Sequence, residues 1–252
     1  YDVNIILTYF KTFKKHVLNA GFIYNLRETN HDQTDVYALG FPNANMDHIS
    51  MGAGFKEGDK PGGAYDVTRL VGFVGNLGYT YDERFLLDFS VRSDGSSLYG
   101  SNNRWGTFWS LGLGYNLHHE KFMERLTFIN LLKIRGSIGT TGGQNFNPYQ
   151  SMAMYSYNDD RISSISYSGY IGAILKAFGN KNLRWQKVEK QNVGLDFELF
   201  DRRLTGSFNV YNDISKDVLI DVTLAPSLGF SSYKENLGEV KNSGVELTLK
   251  GT

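Results

Sequence analysis

LGYTYDERFLLDFSVRSDGSSLYGSNNRWGTFWSLGLGYN, residues 77 to 116, holds three alternating runs separated by two turns of unlike length. Phe85, Leu87, Phe89 and Val91 make one phase wholly apolar, while the intervening Leu86, Asp88, Ser90 and Arg92 are polar at three positions of four. A two-residue period of this kind marks a strand with two different faces. Beyond the loop, Trp105, Trp109, Leu111, Leu113 and Tyr115 share a phase, and Gly106, Ser110, Gly112, Gly114 and Asn116 share the other; Phe108 breaks the pattern. The first turn uses only Asp82, Glu83 and Arg84, whereas residues 93 to 104 all go into the second connection. Long alternating strands, aromatic ends and connections that are short on one side and long on the other suit a transmembrane β-barrel. There, lipid-facing and lumen-facing positions alternate and every backbone group must be paired. A large soluble antiparallel sheet carries the same alternation, so this stretch alone leaves both architectures open.

Composition narrows the field. The 252 residues carry 26 basic and 26 acidic side chains, and a chain without net charge gives no reason to expect a nucleic-acid partner. Sixteen Tyr, 17 Phe and 28 Gly against 4 Pro form a strand-and-turn composition. With no cysteine, disulfides, thiolate metal sites and cysteine nucleophiles are all impossible. The longest apolar runs, Leu70 to Val74 and Phe128 to Leu132, fall far short of the roughly 18 residues of a spanning helix. The chain opens on Tyr1 without a leader, from which we expect that an upstream region precedes it.

Read in order, residues 3–10 and 16–26 suggest a hairpin joined by Lys11 to Lys15, although Val17, Ala20 and Tyr24 also fit a helical face. Residues 27–64 read as a long irregular loop. Val67 to Thr80 pairs with the strand from Phe85 through a tight polar turn. Phe122, Met123 and Leu126 are spaced as on one helical turn, which predicts a short helix or capped turn after Tyr115. Leu131 to Thr140 alternates again and leads into a long Tyr-, Ser-, Asn- and Gly-rich segment ending near Asn182. Gln191 to Phe200 turns at Asp201 and Arg202 into the run containing Leu204, Phe208 and Val210; residues 213–238 read as another long connection before Val245, Leu247 and Leu249. The count is about ten strands, each near the roughly nine to eleven residues that cross a bilayer at a tilt. Short and long connections keep alternating, which favours the membrane barrel.

A series of blocks occurs in order. Arg92, Asp94, Gly95, Ser96 and Ser97 stand as R-x-D-G-S-S, and Asn103, Arg104, Gly106, Phe108 and Ser110 as N-R-x-G-x-F-x-S. Gly114-Tyr115 and then Glu120, Phe122 and Met123 (E-x-F-M) follow; LLKIRGSIGTTGGQ, LRWQKVEKQNVGLDFELFDRRLTGSFNVY and NLGEVKNSGVEL complete the series. In these blocks, spread over residues 66 to 250, the chain resembles the SusC/RagA-like TonB-dependent outer-membrane transporters of the Bacteroidetes type. Gln186 replaces the Glu usual after the tryptophan.

The resemblance implies an all-β fold: an antiparallel transmembrane β-barrel, here partial, with about ten of about 22 strands. Residues 1–252 then form one partial barrel domain, without the plug, the TonB-contacting segment or the closing strands. It further implies a location in the outer membrane, in contact with its lipid, and import of a large nutrient, an oligosaccharide or a peptide. The implied partners are a SusD-like surface lipoprotein that lids the barrel and the TonB complex acting through the plug. No catalysis, nucleotide or other cofactor is expected. The competing readings are a siderophore or cobalamin receptor barrel and a soluble all-β carbohydrate-binding module.

Several motifs invite chemistry. His118-His119-Glu120 lacks the helical ligand spacing of H-E-x-x-H and reads as a polar periplasmic turn rather than a metal site. Gly139, Gly142 and Gly143 are not followed by Gly-Lys-Ser/Thr, so they read as a strand leaving the wall. Asp94-Gly95 is turn chemistry, and Asp159-Asp160 lacks the spaced ligands of a calcium loop. The best substrate candidate is the loop from Tyr149 to Tyr170, with Tyr155, Tyr157, Asp159, Arg161, Tyr167 and Tyr170, because tyrosines offer flat apolar faces and hydroxyls to sugar rings or peptides. Trp105, Trp109, Tyr79 and Tyr115 are expected in interfacial girdles, and Lys133, Arg135, Asp196 and Glu198 on the lumen wall.

Overall fold

The computed structural model describes residues 1–57, 61–143, 147–157, 173–230 and 232–251. The strands run in chain order as β1 (Asp2–Phe13), β2 (His16–Asp35), β3 (Ala38–Leu39), β4 (Gly54–Phe55), β5 (Gly62–Tyr81), β6 (Phe85–Ser96), β7 (Trp105–Asn116), β8 (Ile129–Gly143), β9 (Met154–Tyr157), β10 (Ala173–Ala177), β11 (Gln186–Leu199), β12 (Leu204–Thr223) and β13 (Ser232–Gly251). Nine of them make one antiparallel meander in the order β1-β2-β5-β6-β7-β8-β11-β12-β13; β3 with β4 and β9 with β10 form separate short ribbons in the long connections. The sheet is open, with β1 and β13 at its edges.

Cross-strand register fixes the two faces. Phe13, His16, Tyr81, Phe85, Tyr115, Ile134, Leu195, Phe208 and Leu247 lie in one row across the nine strands, and Leu18, Tyr79, Leu87, Leu113, Val193, Val210 and Val245 follow in the next row on that face. On the other face, Asn19, Gly78, Asp88, Gly112, Ser137, Asn192, Tyr211 and Gly244 share a row. The apolar face is not covered: Phe85, Leu113 and Val193 are 48, 55 and 61% exposed. The whole chain exposes 17589 Å² at 28.4 kDa, against about 11,000 Å² for a water-soluble monomer of that mass. A single layer with one face of uncovered Phe, Leu and Val has no stable state in water; lipid supplies the missing cover. A two-sheet sandwich, which the soluble carbohydrate-binding reading requires, is absent from the described residues.

Aromatic side chains mark both edges of the apolar band. Near the short turns Phe13 stacks on His16 (4.7 Å between centroids) and Phe85 on Tyr115 (4.9 Å), and Phe128 stacks on Phe200 beside them. At the other end Tyr24, Phe73 and Trp105 form a second series, 5.3 and 6.2 Å apart. On β6 the two series fall at Phe85 and at Gly95, the partner of Trp105. That separation is about 33 Å along the strand and about 25 Å perpendicular to the membrane at the usual tilt, the height of a barrel's lipid-facing band. The expected girdle residues Trp105, Trp109, Tyr79 and Tyr115 all lie on the apolar face.

The short turns are tight and tied to one another. Asp82 and Glu83 both adopt left-handed conformations (φ 53° and 56°), as in a type I′ turn, with Arg84 N–H donating to the Tyr81 carbonyl. Lys15 Nζ donates to Asp82 at 2.9 Å, Arg84 pairs with Asp82 and with Glu120 at 3.4 and 3.3 Å, and Tyr115 Oη donates to Glu120 at 2.9 Å. The Glu of the E-x-F-M block therefore ties its own connection to the β5–β6 turn, and Asp82 extends the network to Lys15 in the β1–β2 turn. His118 and His119 lie with their rings tilted against each other in the same connection, where His118 Nδ1 accepts from Leu132 N–H. Residues 117 to 129 form successive i to i+3 turns rather than an α-helix.

Two expected loops are shorter than the sequence reading. Residues 27–64 contain nine further residues of β2 and the start of β5, and 213–238 contain the ends of β12 and β13. These ribbons project beyond the Trp105 aromatic series, where water reaches both faces and no apolar phase is needed. Pairs such as Arg69–Glu28 and Lys234–Asp221 replace it.

Candidate functional site

On the polar face, at the end with the long connections, the loops fold inward and build the only buried hydrophobic cluster among the described residues: Tyr99, Phe108, Leu183 and Trp185, with Leu70, Leu98 and Leu219 against it. Phe108, the exception to the alternation, is the strand residue that turns to the polar face to meet it. Trp185 packs edge-on to Phe108 (5.5 Å) and stacks on Tyr99 (4.2 Å). Gly106 lies beneath both rings; a Cβ there would come within 2.7 Å of Trp185 and 2.8 Å of Phe108.

Hydrogen bonds knit the loops into a roof. Trp185 Nε1 donates to the Arg104 carbonyl (3.0 Å), Tyr99 Oη to the Gly143 carbonyl (2.8 Å), and Gly100 N–H to the Leu183 carbonyl (2.9 Å). Asn102 and Asn103 both reach Asn182, at 2.8 and 3.0 Å. The β12–β13 hairpin joins through Asn236, which accepts from Arg184 N–H and donates to the carbonyls of Arg184 and Asp217. Asp217 is left-handed (φ 58°) and sits where the β12–β13 register shifts, so the hairpin bends and Leu219 reaches the cluster. Burial and the nearby Asp94 carboxylate push the Tyr99 phenol well above its ordinary range, so it stays a neutral donor.

Under this roof the polar face opens into a hollow of about 730 Å³ whose polar lining includes Asn4, Asn25, Arg27, Ser90, Arg92 and Thr141. Asp94 is buried at its edge: Oδ2 accepts from Arg92 Nε, while Oδ1 lies against Gly72 with no hydrogen-bond partner among the described residues. Further down the same face, Arg135 crosses over Gly194 to Asp196 (2.9 Å) and Asn209 (2.6 Å). Lys133, Arg135, Asp196 and Glu198 do share the polar face. Smaller hollows of about 480 and 190 Å³ also line mainly this face.

Residues 2–252 match the model of the TonB dependent receptor-like β-barrel. The chain belongs to that family. TonB-dependent receptor P39 of Formosa agariphila is 33% identical over 244 residues, 96% of this chain and 23% of that protein. TonB-dependent receptor SusC of Bacteroides thetaiotaomicron is 34% identical over 183 residues, 71% of this chain and 18% of its own length. The chain thus spans about a quarter or less of these relatives. Among solved structures, the RagAB peptide transporter superposes with a TM-score of 0.85 at 29% identity, covering 99% of this chain and 27% of that one. The siderophore receptor PirA of Acinetobacter baumannii shares the fold with a TM-score of 0.56 at 14% identity, covering 98% and 34%. This chain is SusC/RagA-like β-barrel wall of the outer membrane.

The substrate candidates fare unevenly. Tyr155 stands on β9 opposite Leu175, 58% exposed, and Tyr157 pairs with Ala173 at the end of the same ribbon. Asp159, Arg161, Tyr167 and Tyr170 lie outside the described residues. The ribbon is anchored at its base by buried Ser151, whose Oγ donates to the Tyr99 carbonyl. Tyr155 does not line the 730 Å³ hollow. Sequence reasoning missed Leu183 and Trp185 as packing residues, although Trp185 was visible within the LRW block; it also missed Asn236.

Proposed function

We propose that this chain is wall and surface-loop structure of an importer for large nutrients, an oligosaccharide or a peptide, that works with a SusD-like surface lipoprotein and draws energy through TonB. The observation that carries the reading is the roofed hollow. Asn103, Gly106, Phe108 and Trp185, which stand in the family's motifs, converge with Tyr99 and Leu183 on one knot that holds long loops over a polar wall. A fixed roof beside exposed ribbons suits capture of a bulky, hydrated solute at the cell surface. The likeness to SusC and to the RagAB peptide transporter supports the same class. Tyr155 and Tyr157, with Asp159, Arg161, Tyr167 and Tyr170, remain the proposed substrate contacts, the tyrosines offering flat apolar faces and hydroxyls.

The test is uptake by the full-length transporter in its own cell. Strains carrying the intact gene, a deletion, and Tyr155→Ala with Tyr157→Ala are grown on defined oligosaccharides and oligopeptides as sole nutrient, with and without a working TonB. Growth on one polymer class that needs both the gene and TonB supports the proposal. Wild-type growth of the deletion strain on every polymer, with loss only of iron-complex or cobalamin uptake, would refute it in favour of the small-chelate receptor reading.

A further inference from the structure

A second hollow, of about 610 Å³, lies on the opposite side of the wall from the lumen. Its floor is Val71 and Gly95, at the top of the lipid-facing phase, with Val67 on the same outward side four residues above; Trp105 forms one wall and Pro148, Tyr149 and Met152 another. Tyr149 holds that second wall in place by accepting from Val67 N–H at 2.9 Å. Ser96, Ser97, Leu98 and two arginines, Arg69 and Arg104, complete the lining.

Its height on the wall is informative. The row through Val71, Gly95 and Trp105 is the upper edge of the aromatic band, and Arg69 stands one outward-facing position above Val71. The groove thus begins where acyl chains end and continues into the headgroup layer of the outer leaflet. The charges differ from those at the opposite rim. There Arg84 is neutralised by Asp82 and Glu120, and Arg202 by Glu198. Arg104 is the difference: it makes no ion pair among the described residues, whereas Arg69 is paired with Glu28 through Nε, as Arg202 is with Glu198. An apolar floor continuous with the lipid face, a tryptophan at interfacial depth and two arginines directly above form a site for an amphiphile with an anionic head.

We propose that this groove binds a phosphate group of the phosphorylated glycolipid of the outer leaflet, with Arg104 and Arg69 on the phosphate and the acyl chains lying along Val71, Phe73 and Trp105. Arg69 is shared between Glu28 and the lipid, so Arg104 is the stronger contact. A bound lipid of this kind would also brace the 148–152 segment against the wall, next to the knot.

The full-length transporter, purified in detergent and delipidated, can be titrated with lipid A and, separately, with phosphatidylcholine, with adducts counted by native mass spectrometry. The proposal expects a saturable lipid A adduct and no comparable phosphatidylcholine adduct. Arg104→Gln should weaken the lipid A adduct by about tenfold, as loss of a charge-assisted bond to phosphate does. Arg202→Gln, at the other rim, should leave it unchanged, which also shows that removing an exposed arginine does not disturb the barrel. Persistence of the adduct in a large excess of inorganic phosphate supports a lipid ligand; displacement by inorganic phosphate would overturn it in favour of a free-anion site. Equal lipid A binding by Arg104→Gln and wild type, or equal binding of phosphatidylcholine, would also overturn it.

Discussion

Replacing Phe89 with Arg puts the membrane assignment under the greatest strain. Phe89 is on the apolar face, four residues from the aromatic series at Phe85 and six from the one at Gly95 and Trp105, close to the centre of the band. It is 38% exposed with no protein layer over it, so lipid is its remaining contact. Four residues correspond to about 13 Å along the strand and about 10 Å in depth at the usual tilt, beyond the reach of an arginine seeking the interface. The cost for arginine near a barrel midplane is about 2–4 kcal/mol, or about 30- to 800-fold in the equilibrium between inserted and uninserted chain. Leu87 provides an internal comparison, because it lies only two residues from Phe85, about 5 Å in depth, and arginine there can snorkel for about 1 kcal/mol. Asp88→Ser, on the polar face between them, should cost little. The assay is the heat-modifiable gel shift of the full-length transporter in outer-membrane fractions, with folding into lipid vesicles across a urea series for the magnitudes. Equal tolerance of Phe89→Arg and Asp88→Ser would refute lipid exposure of this phase, and equal losses at Phe89 and Leu87 would refute the depth assignment.

Other outcomes follow from the knot and the turns. Gly106→Ala drives a methyl group into Trp185 and Phe108 and should destabilise the roof by about 1–3 kcal/mol, seen as faster protease cleavage of the surface loops while the barrel stays heat-modifiable. Asn236→Ala leaves two carbonyls and one N–H without their partner and should loosen the β12–β13 hairpin by about 2–3 kcal/mol, read by hydrogen exchange at its tip. Glu120→Gln removes the charge facing Arg84 and should lower the midpoint of the heat-modifiable transition by an amount corresponding to about 1 kcal/mol. The Lys15 ammonium holds the Asp82 carboxyl below its ordinary value, so this contribution is complete above that value and lost only as pH falls through the depressed one. Hydrogen exchange in that turn, corrected for its intrinsic pH dependence, should therefore report the same protection at about pH 7 and about pH 5.

What the chain reveals by inspection depends on where water is. Between Phe85 and Val91 one face meets lipid and the other meets water, so the alternation is written into the residues. Above Leu26 and Ser215 both faces are wet, and the strand extensions of β2, β5, β12 and β13 carry charged pairs with no period to read. The short turns were legible from Asp82-Glu83 and Asp201-Arg202, whose left-handed residues include no glycine, because a short polar stretch between two alternating runs suffices. The knot was legible only in outline. Phe108 announced itself by breaking phase, but its partners lie at Tyr99 and Leu183 to Trp185, and nothing local connects residues that far apart. The proposed substrate contacts were chosen for their chemistry alone; of the six, the structure describes the positions of Tyr155 and Tyr157, and it sets Tyr155 on an exposed ribbon rather than in the hollow.

The central claim is that odd-numbered residues from 85 to 91 face lipid and even-numbered residues from 86 to 92 face a water-filled lumen. Because this chain contains no cysteine, single cysteines can be introduced at each of these positions in the full-length transporter and spin-labelled once any thiols elsewhere are removed. Collision rates with oxygen, which concentrates in lipid, and with a water-soluble nickel chelate should then alternate with a two-residue period, oxygen high at Phe85, Leu87, Phe89 and Val91 and nickel high at Asp88, Ser90 and Arg92. Protection of the odd positions from both reagents, or accessibility without a period, would contradict the assignment of this chain as a barrel wall.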